Sequence, residues 1–356
     1  MAYTTIDKGS SYFNTLTYTG NGTSPRTVTG VNFQPDWVWI KNRTRSGSSA
    51  LNDAVRGAGL NKELSSETTY TEGNNGGSGY GYISAFASDG FILTTGSTAF
   101  DIVNRSGDSY VSWNWKANGA GVSNTQGSIS STVSANTTSG FSIVSYTGNS
   151  SSATVGHGLG VAPKFIIIKH RNDVDDWNCY HASLGSSQRI QLNNTGAASA
   201  FSWGGNPTSS VFYLLGGGAT AVNVTGGTYI AYCFADVKGF SKFGSYTGNN
   251  QLNNFVYTGF KPAFVMIKVT STTEQWCIKD HKRNTINPLD RNIFANANQA
   301  EDYNTTNHLI DFVSNGFNLK DNTTQNLTNG NGQTYIYMAF AENPFVSSTG
   351  IPVTAR

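Results

Sequence analysis

The feature that most constrains this chain is a short motif that occurs three times. Tyr18-Thr19-Gly20-Asn21 recurs as Tyr146-Thr147-Gly148-Asn149 and as Tyr246-Thr247-Gly248-Asn249. A proline follows each tyrosine by 17, 17 and 16 residues, at Pro35, Pro163 and Pro262, and each proline opens an apolar run that ends in Lys41, Lys169 or Lys268. A second run ends in Asp53, His181 or Asp280, each 18 residues past its proline. Gly90-Phe91-Ile92-Leu93, Val211-Phe212-Tyr213-Leu214 and Gly316-Phe317-Asn318-Leu319 come next. Aromatic runs starting at Tyr110, Tyr229 and Tyr335 close the series. Landmarks in one fixed order, three times over, mean three copies of one structural unit.

The copies divide the chain into 1–116, 140–238 and 239–345. Residues 117–139 are rich in Gly, Ser, Asn and Thr and read as a linker, with one strand expected around 128–133. Residues 346–356 form a C-terminal tail. Only Val237-Lys238 separates the second copy from the third, so those two are expected to sit together in a fixed geometry.

Each copy reads as all-β. The residues after each proline do not alternate, as in a strand covered on both faces, and a proline is tolerated where a strand begins. The terminal lysine is expected to bring that strand back to solvent. Other runs alternate, as in Phe141-Ser142-Ile143-Val144-Ser145-Tyr146. Asn21-Gly22, Asp89-Gly90, Asn315-Gly316 and Asn331-Gly332 mark turns. No segment carries a helical apolar period. The pattern predicts three tandem β-sandwich domains, jelly-roll-like, of about 100 residues, each with its own core.

Composition excludes several function classes. Charged residues make up 12% of the chain, against roughly 25% in a typical soluble protein. The net charge is +2 without a basic run, which argues against nucleic-acid binding. No apolar stretch is long enough to insert in a membrane, and the polar start lacks a signal-peptide pattern. Cys179, Cys233 and Cys277 are odd in number, match no metal spacing and read as small buried residues. No cofactor motif occurs: a Walker loop, a nucleophile elbow and a metal-binding histidine pair are all missing.

Candidate contact residues are therefore aromatic and polar. Trp203 lies between Ser202 and Gly204, while Tyr70, Tyr80 and Tyr303 sit in the long insert after each Asp or His landmark. Flat rings beside amides and glycines suit either sugar stacking or a protein interface. Asp173-Val174-Asp175-Asp176-Trp177 is the densest acidic cluster. Asp175, Asp176 and Trp177 would serve either as a calcium or sugar site or as an exposed loop. Arg56 and Arg283 share one position in the repeat, where the second copy has Leu184, and read either as part of a ligand site or as partners of a rim salt bridge.

The Y-T-G-N motif, the proline runs and the closing aromatic strands resemble the repeats of tail-fibre-like virion structural proteins of marine tailed bacteriophages. Val111-Ser112-Trp113-Asn114-Trp115-Lys116, the junction Tyr232 to Tyr246, and Ala339-Phe340-Ala341-Glu342-Asn343-Pro344-Phe345 carry the likeness, which covers about residues 12–345. The resemblance implies a non-enzymatic particle component with other virion proteins as partners and a host-surface glycan or receptor as ligand. It brings no catalytic residues. A capsid decoration or head fibre is the alternative placement. A homotrimer is one expectation for the assembly, and triplication within one chain standing in for that symmetry is the other.

Overall fold

The computed structural model describes residues 4–74, 77–216, 221–304, 306–321 and 325–341. The tail expected at 346–356 lies outside them. The described residues form antiparallel sheets, and their only helices are the short 3-10 turns Gly9–Ser11 and Gly77–Tyr80.

One pairing scheme occurs three times. The opening strands Phe13–Thr19, Phe141–Thr147 and Ser241–Thr247 lie against the closing strands Ser109–Trp115, Thr228–Phe234 and Thr334–Ala341. The registers agree, with Tyr18 opposite Tyr110, Tyr146 opposite Tyr229 and Tyr246 opposite Tyr335. The closing strands pair next with the proline strands Trp37–Asn42, Phe165–His170 and Pro262–Val269. These pair with the return strands Ala50–Asp53, Asn178–His181 and Cys277–Asp280. A second, smaller sheet holds the Phe-Leu strand of each unit, paired in the first unit as Arg26–Thr29 with Gly90–Thr94. First-with-last pairing in one sheet and second-with-next-to-last in the other is a jelly-roll-like wrapping.

The recurring motif is explained by local chemistry. In each unit the two paired tyrosines stack at 4.8–5.1 Å. The first tyrosine donates its hydroxyl to the carbonyl of Val103, Val222 or Thr328. The motif asparagine receives a side-chain anchor, Asn104, Asn223 or Asn329, at its backbone N–H. The glycine stands where a Cβ would lie 2.0–2.4 Å from the carbonyl oxygen of Arg105, Val224 or Gly330, so no other residue fits. Y-T-G-N is a latch that fastens the loop before the closing strand.

The units share a core instead of each standing alone. On one face of the proline strand, Val38 and Ile40 pack with Phe91 and Leu93 inside the first sandwich. Ile166 and Ile168 do the same with Phe212 and Leu214 in the second. The opposite face, with Trp37, Trp39, Phe165, Ile167, Phe264 and Met266, belongs to one cluster built from all three units. At its centre stand Trp115, Phe234 and Phe340, one from each closing strand. Their ring centroids form a triangle with sides of 6.4, 6.0 and 6.2 Å. The three units therefore surround an approximate three-fold axis. This explains why the proline strands are buried on both faces: the first and second units keep the cores of their own that were expected, and a core shared by all three is added to them.

The stretch 117–139 is not a bare linker. Val122–Asn124 and Ser131–Asn136 form strands, and the latter pairs with Phe141–Thr147, extending the second unit's sheet to eight strands. Its alternation is the cause, since Ile129 and Val133 bury their side chains in the second core.

A shared core predicts shared unfolding. Urea denaturation followed by tryptophan fluorescence and by circular dichroism is expected to give one coincident transition instead of three. Phe340→Ala should lower the stability of the whole chain by about 3–5 kcal/mol.

Candidate functional site

The seams between units are built by cyclic repetition of the same bonds. The loop after each proline strand meets the loop of a neighbouring unit through two backbone hydrogen bonds. The pairs are Glu301 N to Arg43 O with Gly47 N to Asn298 O, Glu72 N to Arg171 O with Asp175 N to Thr69 O, and Ala198 N to Thr270 O with Glu274 N to Thr195 O. The first unit thus binds the third, the second binds the first and the third binds the second, which closes a ring.

The repeat lysines lock these seams and are buried, contrary to the expectation that they meet solvent. Lys41 Nζ donates to Ala297 O at 2.7 Å, Lys169 Nζ to Thr69 O at 3.2 Å and Lys268 Nζ to Thr195 O at 2.8 Å, each across a seam. Three donors on a flexible stem can satisfy carbonyls from both loops at once. Burial lowers the pKa of Lys41 and pushes Lys169 and Lys268 down to about 8.

Two seams add a charged knot. At the first, Glu301 accepts from Arg43 at 2.9 Å and Arg283 at 3.1 Å. Burial alone would raise the Glu301 carboxyl, but Arg43 and Arg283 more than offset it and hold it below its usual value. Arg283 also pairs with Asp280 at 2.6 Å, and Trp113 of the first unit donates to the same carboxylate. At the second seam Glu72 accepts from Arg171 at 2.5 Å, while Arg56 pairs with Asp53, which accepts from Tyr232 of the second unit. The arginines read as closing a sandwich rim are thus fully buried between units.

Several expected contact residues belong to this framework. Trp177 is buried, and its indole N–H donates across the seam to Ser65 O at 2.9 Å. Asp176 accepts the side-chain amides of Gln191 and Asn193. Asp175 lies 3.7 Å from His170, and burial raises its carboxyl. Trp203 is also buried, against Tyr180 and Phe201, with its indole N–H on Gln188 O. Trp177 and Trp203 therefore present no ring to an outside ligand. Among the described residues no cluster of three or more His, Cys, Asp or Glu side chains could hold a metal ion. The three cysteines are free and buried, and burial raises their thiols.

Tyr70 and Tyr303 are exposed, with the Arg291 guanidinium 4.5 Å over the Tyr303 ring. Neither is among the residues that line the cleft beside Tyr80. Tyr80 instead stacks on Phe100, with centroids 6.0 Å apart and planes 18° apart, over a cleft of about 300 Å³ at the border of the first and third units. Phe100 is 66% exposed. Asn42, Arg45, Asp101 and Asn298 surround the pair. Two touching loops set this geometry, since a Cβ on Gly96 would lie 2.4 Å from Gly79 O. Asp101 holds the second loop by accepting the N–H groups of Gly96, Val103 and Asn104. A flat apolar platform ringed by amide and guanidinium donors can stack a sugar face and bind its hydroxyls. Phe100 carries no repeat signal and was not legible as a site residue.

The buried lysines give a pH signature. Between about pH 8 and 10.5 the unfolded chain keeps protons on Lys169 and Lys268 that the folded one has released, so these two lysines add stability as pH rises. The buried thiols and tyrosines act the other way, since burial keeps Cys277 and Tyr229 protonated, the latter up to about 12, after their unfolded counterparts have ionised. The urea midpoint of the parent chain is therefore expected to gain on that of Lys169→Met as pH rises from 8 to about 10.

A search of curated proteins finds no match, and a search of solved structures finds none. The model of a domain of unknown function, DUF7483, matches residues 8–344, and by that match the chain belongs to the DUF7483 family.

Proposed function

We propose that this protein is a non-enzymatic component of a virus particle, exposed in the tail fibre or attachment apparatus, and that it holds a host-surface glycan at the Tyr80–Phe100 cleft. The observation that carries the reading is the stack of exposed Phe100 on half-buried Tyr80, mounted on a body whose three units are locked into a ring. Rings that touch to form a contiguous apolar patch mark a contact surface, whereas a lone exposed ring does not. The locked ring suits a part that bears load, because no unit can open without breaking two seams. The family resemblance supports the particle assignment, and other virion proteins are the expected neighbours.

A second placement is favoured by one observation. The approximate three-fold axis matches the symmetry of local positions on a capsid shell, where a decoration protein or head fibre would sit.

Cryo-EM of the intact particle separates the placements, with tens of copies at the tail expected and hundreds over the shell supporting the alternative. Absence from the particle overturns both. For the cleft, Phe100→Ala is expected to weaken adsorption of the purified protein to host envelope polysaccharide by about tenfold or more without shifting Tm. Unchanged adsorption would remove the cleft from the reading.

A further inference from the structure

The third seam lacks the charged knot, and it lacks every member of it. Thr270 stands where Arg43 and Arg171 stand, eight residues past the repeat proline. Leu184 replaces Arg56 and Arg283. Ala198 makes the backbone bond made elsewhere by Glu72 and Glu301. His181 takes the place of Asp53 and Asp280, and burial pushes its pKa down to about 4, so it is neutral. Loss of one partner alone would strand a buried charge at a cost of about 3–5 kcal/mol. Here both signs are gone together, and the backbone bonds and the Lys268 lock of the seam remain.

The side chains lost are large and their replacements small. The space is a cleft of about 510 Å³, lined by Leu184, Ala198 and Thr270 themselves. That volume lies within the range of small-molecule sites, roughly 300–1,000 Å³. Ile336 adds apolar surface, while Gln188, Ser245, Thr247 and Ser271 bring hydroxyls and an amide. No ionisable acid or base other than the half-buried Tyr246 and buried Tyr335 faces the cleft. The cleft is separate from the one beside Tyr80, which lies at a different seam.

We propose that this cleft between the second and third units is a binding site for a neutral saccharide unit. Hydroxyl and amide groups exchange hydrogen bonds with sugar hydroxyls, and the apolar floor accepts the C–H face of a pyranose ring. An acidic sugar would find no cation there to offset the desolvation of its carboxylate. At the other two seams the equivalent positions carry the ion pairs of Arg43 and Arg283 with Glu301 and of Arg171 with Glu72.

The test uses the full chain and a panel of neutral hexose trisaccharides beside uronic-acid trisaccharides, read by saturation-transfer NMR and calorimetry. At least one neutral trisaccharide is expected to bind, with an affinity that does not fall as salt is raised. Thr270→Arg combined with Ala198→Glu rebuilds an ion pair in the cleft and should weaken binding by about tenfold or more. Ser245→Trp, a change at an exposed strand position, should do the same by crowding the mouth and serves if the double variant does not fold. Phe100→Ala should leave this binding unchanged, which separates the site from the proposed glycan platform. No binding by any neutral trisaccharide, a preference for the acidic panel, or unchanged affinity in the folded cleft variants would each overturn the proposal.

Discussion

Everything in this fold depends on the packing of Trp115, Phe234 and Phe340 around one axis. A sheet with two apolar faces cannot end at water, and each proline strand here has two. Three such sheets satisfy one another by turning their second faces inward. Aromatic rings suit that position because they remove a large area from water and meet edge to face at the observed spacings. The polar bonds at the seams are secondary in energy but set the register. A buried lysine placed on two carbonyl oxygens tolerates little displacement, so it selects one arrangement of the ring among those that the rings alone would allow.

Much of this was legible in the sequence, and the missing part has a physical reason. The three repeats and the strands around Pro35, Pro163 and Pro262 follow from local periodicity, which reports how many faces of a strand are covered. Periodicity does not report what covers them. A run such as Phe165-Ile166-Ile167-Ile168 reads the same whether its second face meets its own sandwich or a neighbour. Lys41, Lys169 and Lys268 were read as solvent-facing because a charge at a strand end is ordinarily hydrated, and the carbonyls that bury it come from segments distant in sequence.

The candidate site was legible only in part. Tyr80 was found because it lies in an insert between landmarks, but Trp203 lies in one too and is buried. The difference is set by Gln188, whose carbonyl takes the Trp203 indole N–H, and by Tyr180, whose ring meets it edge-on. Trp177 did carry a signal. It stands four residues before His181, as Trp276 stands four before Asp280, and both indoles donate across a seam. A shared offset within a repeat marks framework, whereas Phe100 has no counterpart in the other copies. In a triplicated chain the residues that depart from the repeat are the ones to inspect for ligand contact.

The two-residue connection at Val237-Lys238 has a kinetic consequence. Three separate subunits must meet, and their complex dissociates on dilution according to mass action. Covalent joining makes ring closure a first-order event, with each unit held near its neighbour at a high effective concentration. The ring therefore keeps the same stability in a single molecule as in a concentrated solution, and it can never lose or exchange a third of itself.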